Sequence, residues 1–301
     1  MYKLIVRTDD VGYSNVCNIG TFEVYDHGWG SHLELMLESP GTVDALERAK
    51  RYPWVSTGWH AHFWGAPVLP AEEVPSLVIP ETGRFRHGIQ RLEDISFEEI
   101  LAEMRAQMDR CVHILGKAPD VGGSPFQADT PYFKAMNQVV KEYGMISNYA
   151  HRMHVQPDGS FINDPVDPKW ESAQIYQIDQ AGIVAGDLIG KSFIEQQNYD
   201  GVAFLLEDRM RLNDLPDGSA IIHGWHPGYV DYYVGHEGDY GPNMAYYTVS
   251  RTFDTEALCS KRFHDWIKNN DIMLCSLTDA LFGTMHFQNH LRDINSDLCV
   301  L

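Results

Sequence analysis

The chain has 301 residues, 44% hydrophobic and 22% charged, which is the composition of a folded globular protein and not of a disordered tail. Lys and Arg number 23 against 42 Asp and Glu, a formal net charge of −19. That balance argues against nucleic-acid and membrane partners, which need clustered cations, and leaves a small carbohydrate or other neutral molecule open.

Alternating β and α patterns run along the chain. Lys3 to Arg7 reads as a buried strand ending in Thr8-Asp9-Asp10, followed by a helix to His27-Gly28. His32 to Glu38 alternates as a second strand, Val43 to Tyr52 is helical, and Val55 to Phe63 is a third strand. Trp64 to Asp94 carries four prolines and three glycines and reads as an irregular excursion, of a length that is usually functional. Ser96 and Glu99 form a capping box for a helix to Leu115, and Thr130-Pro131 opens a second helix ending at Gly144. Further strands are expected at Asp120–Phe126, Met145–Tyr149, Ser219–Trp225 and Asp271–Leu277, with a helix over Thr255–Asn269. The whole, 1–301, reads as one domain with insertions near 64–95 and 151–218. Polar residues gather at successive strand ends, so a distorted TIM-like (β/α) barrel is favoured over an open sheet.

The five cysteines (Cys17, Cys111, Cys259, Cys275, Cys299) are scattered, odd in number and without a CxxC pair. Neither a disulfide framework nor a cysteine-based zinc site is expected, and a reducing compartment fits. The first residues do not read as a signal peptide, and no run approaches the roughly 18 apolar residues of a membrane span, so a cytoplasmic protein is expected.

Three features carry chemistry. Asp9-Asp10 at the first strand end can serve either as a helix cap or as a metal ligand beside a general base. His60 and His62, two apart on a strand, share a face and suit a divalent cation. His226, in His223-Gly224-Trp225-His226-Pro227-Gly228, stands before a turn, where an imidazole can protonate a leaving group. Trp59 and Trp64 are candidates for the core or for a wall on which a sugar ring stacks.

In order, Leu4-Ile5-Val6-Arg7-Thr8-Asp9-Asp10-Val11-Gly12-Tyr13, Leu35-Met36-Leu37-Glu38-Ser39-Pro40-Gly41, Gly58-Trp59-His60, Gly65 to Pro70 and His226-Pro227-Gly228-Tyr229 resemble the YdjC-like carbohydrate deacetylase family, which includes chitooligosaccharide deacetylases. The resemblance implies a TIM-like barrel and metal-dependent hydrolysis of an N-acetyl group. It implies Asp9 as base, Asp10 and His60 as metal ligands, and His226 at the catalytic site. Trp64 and Tyr229 are the candidate substrate contacts. The family's His-rich stretch, source of its third ligand, corresponds to Pro119–Asp129, which has no histidine; the ligand position falls on Ser124 or Pro125. Glu38 is the first candidate replacement, then His62, with Gln127 and Asp129 behind them. The cofactor expected is a divalent ion, zinc or Mg/Mn. A metal-free carbohydrate-binding protein, or a hydrolase of another amide with a rebuilt site, are the alternatives, and a homodimer is possible on this reading.

Overall fold

The strand that organises the fold is β1 (Lys3–Val11), four residues longer than the expected Lys3–Arg7. A computed structural model describes residues 2–63, 65–123, 129–155, 161–178, 193–208, 212–231 and 245–301. Strand β1 lies parallel between β2 (His32–Leu35) and β7 (Ala220–Trp225), and β3 (Ser56–Trp59) extends the sheet beyond β2. Parallel bridges carry the ladder on from Gly58 to Val121 and from Val121 to Ile146. On the other flank β7 pairs with β6 (Ile175–Ile178), and β6 with β4 (His151–Val155). Strand β5 (Phe161–Asn163) returns antiparallel to β4, and β8 (Met273–Leu274) pairs with the start of β1.

The strand order, β3-β2-β1-β7-β6-β4-β5, does not close on itself. Ile146 at one end and His151 at the start of β4 are nevertheless five residues apart, at most about 18 Å of chain. Ile5, Val121, Ile175, Ala220, Ile222 and Cys275 pack into one cluster drawn from both flanks, so the sheet curls around an interior and leaves a seam at 146–151. The expected α/β architecture with a parallel-dominated sheet is the one observed, as a barrel open at that seam. The opposite faces of β1, β2 and β7 (Leu4, Val6, Leu33, Leu35, Trp225) bury against the helical layer with Phe22, Leu46, Leu101 and Met104.

Helices α1 (Asn15–Asp26), α2 (Thr42–Ala49), α3 (Phe97–Leu115) and α4 (Pro131–Glu142) fall where the periodicity places them. The ends differ. Strand β2 stops at Leu35 because Met36 turns, its carbonyl accepting from Thr42 Oγ1 (2.8 Å). At Ser96 only half of the capping box forms: Ser96 Oγ accepts from Glu99 N (3.3 Å), but the Glu99 carboxylate accepts from Ser76 N (2.7 Å) instead. That exchange ties the excursion to α3. Short helices α5 (Phe193–Gln196) and α6 (Ala203–Leu206) lie within 151–218, which also holds β4, β5 and β6. The expected Thr255–Asn269 helix is two, α7 (Ala245–Leu258) and α8 (Lys261–Asn269), because Ser260 caps the second through Phe263 N (3.2 Å). Two more, α9 (Leu277–Phe282) and α10 (His286–Asp293), follow β8.

The excursion is held down by one fully buried carboxylate on α3. Glu103 accepts from Val68 N (3.0 Å), Leu69 N (3.0 Å) and Gln107 Nε2 (2.9 Å), and its burial raises its pKa. Glu103→Ala leaves those donors without an acceptor and should cost roughly 1–3 kcal/mol in urea unfolding, with Glu103→Gln costing less. Equal stability of Glu103→Ala and the parent would mean that the excursion is anchored elsewhere.

Candidate functional site

Adjacent residues on a regular strand point to opposite faces, so Asp9 and Asp10 need an irregularity to serve one site. Strand β1 has one. Thr8 faces Leu33 and Val11 faces Leu35, three steps against two, so one extra residue bulges between them. Asp10 takes that strain with φ of 59°, a left-handed conformation that Asp tolerates better than most side chains. Arg7 and Asp9 meanwhile share a face: Arg7 Nη2 donates to Asp9 Oδ2 (2.7 Å), and its Nε lies 2.7 Å from Oδ1. The pair needs room from β7, and Gly224 supplies it. A Cβ there would stand 2.9 Å from Asp9 Oδ2.

Asp10 is held from two sides. Its Oδ2 accepts from Arg251 Nη2 (2.5 Å) and its Oδ1 lies 3.0 Å from His60 Nε2. Burial opposes its ionisation, but Arg251 and His60 outweigh that and hold its pKa well below the usual carboxylate range. The other nitrogen of His60 faces Glu34 (Nδ1 to Oε2, 3.8 Å), whose Oε1 meets His32 Nε2 (3.1 Å). Burial alone would depress His60; its contact with Asp10 and the nearby Glu34 carboxylate instead raise it to about 10.

Strand β3 ends at Trp59, so His62 lies in the loop beyond it. The loop is pinned by His60 N to Leu35 O (2.9 Å), Tyr132 Oη to Ala61 O (2.7 Å) and Gln90 Nε2 to His62 O (3.2 Å). The His62 ring thereby returns to within 4.8 Å of the His60 ring, centroid to centroid. Burial, then the neighbouring His60, push His62 down to about 4. Among the described residues, Asp10, His60 and His62 form the group whose donor atoms all lie within 4.8 Å of one another.

His226 lies beside the acidic pair, its Nε2 3.9 Å from Asp9 Oδ2, and burial lowers its pKa. Glu38 is buried in its own turn, where its Oε2 accepts from Leu37 N (3.0 Å), and is not in the three-donor group. Asp129 is exposed and paired with Lys134 (2.8 Å). Tyr229 is 37% exposed beside the Pro227-Gly228 turn, and Trp59 is buried. Trp64, Ser124, Pro125 and Gln127 lie outside the described residues. A cavity of about 180 Å³ opens next to His60, lined among others by Arg7, Glu34, Trp59, Tyr149 and Arg152. Sequence reasoning missed Arg7, Glu34 and Arg251. Arg7 and Glu34 could have been found by period two, from Asp9 and His32; Arg251, 241 residues from Asp10, carries no local signal.

A family model described as YdjC-like protein matches residues 3–269. A carbohydrate deacetylase from Brevibacillus brevis is 40% identical over 111 residues, 36% of this chain and 44% of that protein, so this match spans less than half of that relative's length. A chitooligosaccharide deacetylase from Yersinia enterocolitica is 24% identical over 183 residues, 58% and 69% of the two chains. A carbohydrate deacetylase from Mus musculus is 22% identical over 299 residues, 92% and 94%. A solved structure from Enterococcus faecalis V583, named for cellobiose-phosphate cleavage, shares the fold with a TM-score of 0.60 at 19% identity, covering 93% of this chain and 99% of that one.

Gly58 gives the sharpest structural test of the site. A Cβ at Gly58 would stand 2.5 Å from Glu34 Oε1, so the carboxylate would have to shift from its place beside His60. Gly58→Ala should destabilise the fold by about 1–3 kcal/mol, as overpacking does, and shift the His60 imidazole resonances. Unchanged stability and unchanged His60 signals would show that Glu34 is not fixed there.

Proposed function

The chain belongs to the YdjC-like family, and we propose that it is a metal-dependent hydrolase removing an N-acetyl group from an amino sugar or short oligosaccharide. The observation that carries this reading is the juxtaposition of three potential ligands, Asp10, His60 and His62, with a carboxylate on one side and an imidazole 3.9 Å from that carboxylate. A carboxylate and two imidazoles are a donor set suited to zinc and acceptable to Mg²⁺ or Mn²⁺. Such an ion supplies an activated water and a polarised acetyl carbonyl. The names of the relatives support the acetylated sugar as the substrate class.

The protein's own groups divide the remaining work. Asp9 accepts the proton of the attacking water, and Arg7 fixes its carboxylate so that the accepting oxygen needs no reorientation. His226 in its protonated form gives a proton to the departing amine, and the proton that Asp9 took from the water, 3.9 Å away, then returns to His226. His60 is oriented through its second nitrogen by Glu34, the arrangement in which a carboxylate sets the ring angle of a ligating histidine. His62 takes the third ligand position in place of Glu38, whose carboxylate is committed to Leu37 N.

Release of acetate from N-acetylated amino-sugar oligomers, with metal content measured alongside, tests the assignment. Asp10→Ala should lose metal and activity together. Asp9→Asn and His226→Ala should each keep the metal and lose about two to four orders of magnitude in turnover, His226→Ala also losing the basic limb of the pH–rate profile. Loss of metal in Asp9→Asn but not in Asp10→Ala would reverse the two roles. His62→Ala should weaken metal binding by at least about ten-fold and Glu38→Gln by less. The opposite ranking in metal titrations would return the third position to Glu38.

A further inference from the structure

Helix α7 packs across the end of β7 and presents Arg251, Asp254 and Thr255 on one face, spaced as successive helical contacts. Arg251 reaches Asp10, as described. Thr255 Oγ1 accepts from Gly228 N (2.9 Å), and Arg251 O accepts from the same amide (3.2 Å). Asp254, only 3% exposed, accepts through Oδ2 from the backbone N of His226 (2.9 Å) and through Oδ1 from Tyr199 Oη (2.8 Å). The same helix therefore holds the metal-side aspartate with one residue and the His226-Pro227-Gly228 turn with the next two.

The amide of His226 is the last point at which β7 can be gripped before the chain turns away at Pro227, which has no N–H to offer. The turn is also pinned through Thr21 Oγ1 to Pro227 O (2.8 Å) and Trp225 Nε1 to Gly201 O (2.7 Å). Of these contacts, the one to Asp254 acts on His226 itself. Without it, that amide loses its acceptor and the residue can rotate about its own backbone, carrying the imidazole away from Asp9. A displacement of about 1 Å in a reacting group can cost on the order of a hundred-fold in rate.

We propose that Asp254 is a positioning residue: by anchoring the His226 backbone to the helix that also holds Arg251, it sets the placement of the His226 imidazole relative to Asp9 and Asp10. This rests on the reading of His226 as proton donor. Hydrogen-bond geometry, and not charge, is what Asp254 contributes. Burial raises its carboxyl to about 7, so the negative charge is weakly held near neutrality, and an amide of the same shape can fill the place.

The test is a double-mutant cycle between Asp254 and His226, with stability measured in parallel. Asp254→Ala should lower kcat by about ten- to a hundred-fold with KM nearly unchanged, and Asp254→Asn should restore most of it. In the His226→Ala background, Asp254→Ala should cost nothing further, because the two residues act through one imidazole. An equal loss in both backgrounds, a change confined to KM, or full activity in Asp254→Ala overturns the proposal. Should Asp254→Ala fail to fold, Tyr199→Phe removes one of the two anchors of the carboxylate, and a partial kcat loss that vanishes in the His226→Ala background is then expected; no loss overturns it. Hydrogen exchange of the His226 amide gives a readout independent of turnover. It should quicken in Asp254→Ala or Tyr199→Phe even if the parent hydrolyses no acetylated sugar, an outcome that would remove the deacetylase reading and leave the positioning claim standing; unchanged exchange would remove the positioning claim alone.

Discussion

Two neighbouring carboxylates at a buried strand end repel each other, and the rest of the site is arranged around that constraint. At 4 Å two like charges cost about 4 kcal/mol at an effective dielectric near 20. Here Asp9 is matched by Arg7, Asp10 by Arg251, and the third carboxylate, Glu34, by His32 and His60. Arg251 and His32 are buried, and Arg7 and His60 are largely so, so removing one weakens the compensation of a carboxylate that water reaches poorly. Such an arrangement adds little to net stability, because desolvation offsets much of the attraction. What it secures is a set of oxygens and nitrogens with fixed directions before any substrate arrives.

The sheet makes this possible at short range. Asp9, Asp10, Glu34, His60 and His226 come from β1, β2, β3 and β7 or the residues just beyond them, and these strands are consecutive in the ladder β3-β2-β1-β7. A parallel order puts all their C-terminal ends at one rim, where side chains remote in sequence become neighbours. Close approach then demands missing side chains opposite. Gly58 clears Glu34, and Gly224 clears the Arg7–Asp9 pair. The bulge between Thr8 and Val11 completes the site, because a regular strand would turn Asp10 away from it.

Long amphipathic elements were readable in the sequence because one signal decided them. Helix α3, with Ser96 before it and Gly116 after it, is the clearest case. Strands of three to five residues within 151–218, such as β6 with Ile-Tyr-Gln-Ile, are too short for periodicity to separate from a loop, and their partners lie far along the chain. Asp9, Asp10, His60 and His226 could be picked out because each stands in a compact motif at a strand end. Arg251 and Asp254 could not be. They sit on a helix that reads as ordinary amphipathic sequence, and their importance lies in contacts to Asp10 and to the His226 amide across the fold.

Placing Glu38 ahead of His62 requires an extended strand running to residue 38, which aims the carboxylate at the rim beside Asp10. Strand β2 ends three residues earlier, and the turn that follows gives Glu38 a different task. Its oxygen satisfies Leu37 N within a buried turn, so recruiting it as a ligand would leave that donor without an acceptor, at a cost of about 1–3 kcal/mol before any bond to a cation is counted. The loop that displaces His62 from the strand is the one that brings its ring back beside His60. The proposal of His62 as the third ligand therefore rests on its ring lying beside His60 and on the commitment of Glu38 to Leu37 N, and not on the order of residues along the strands.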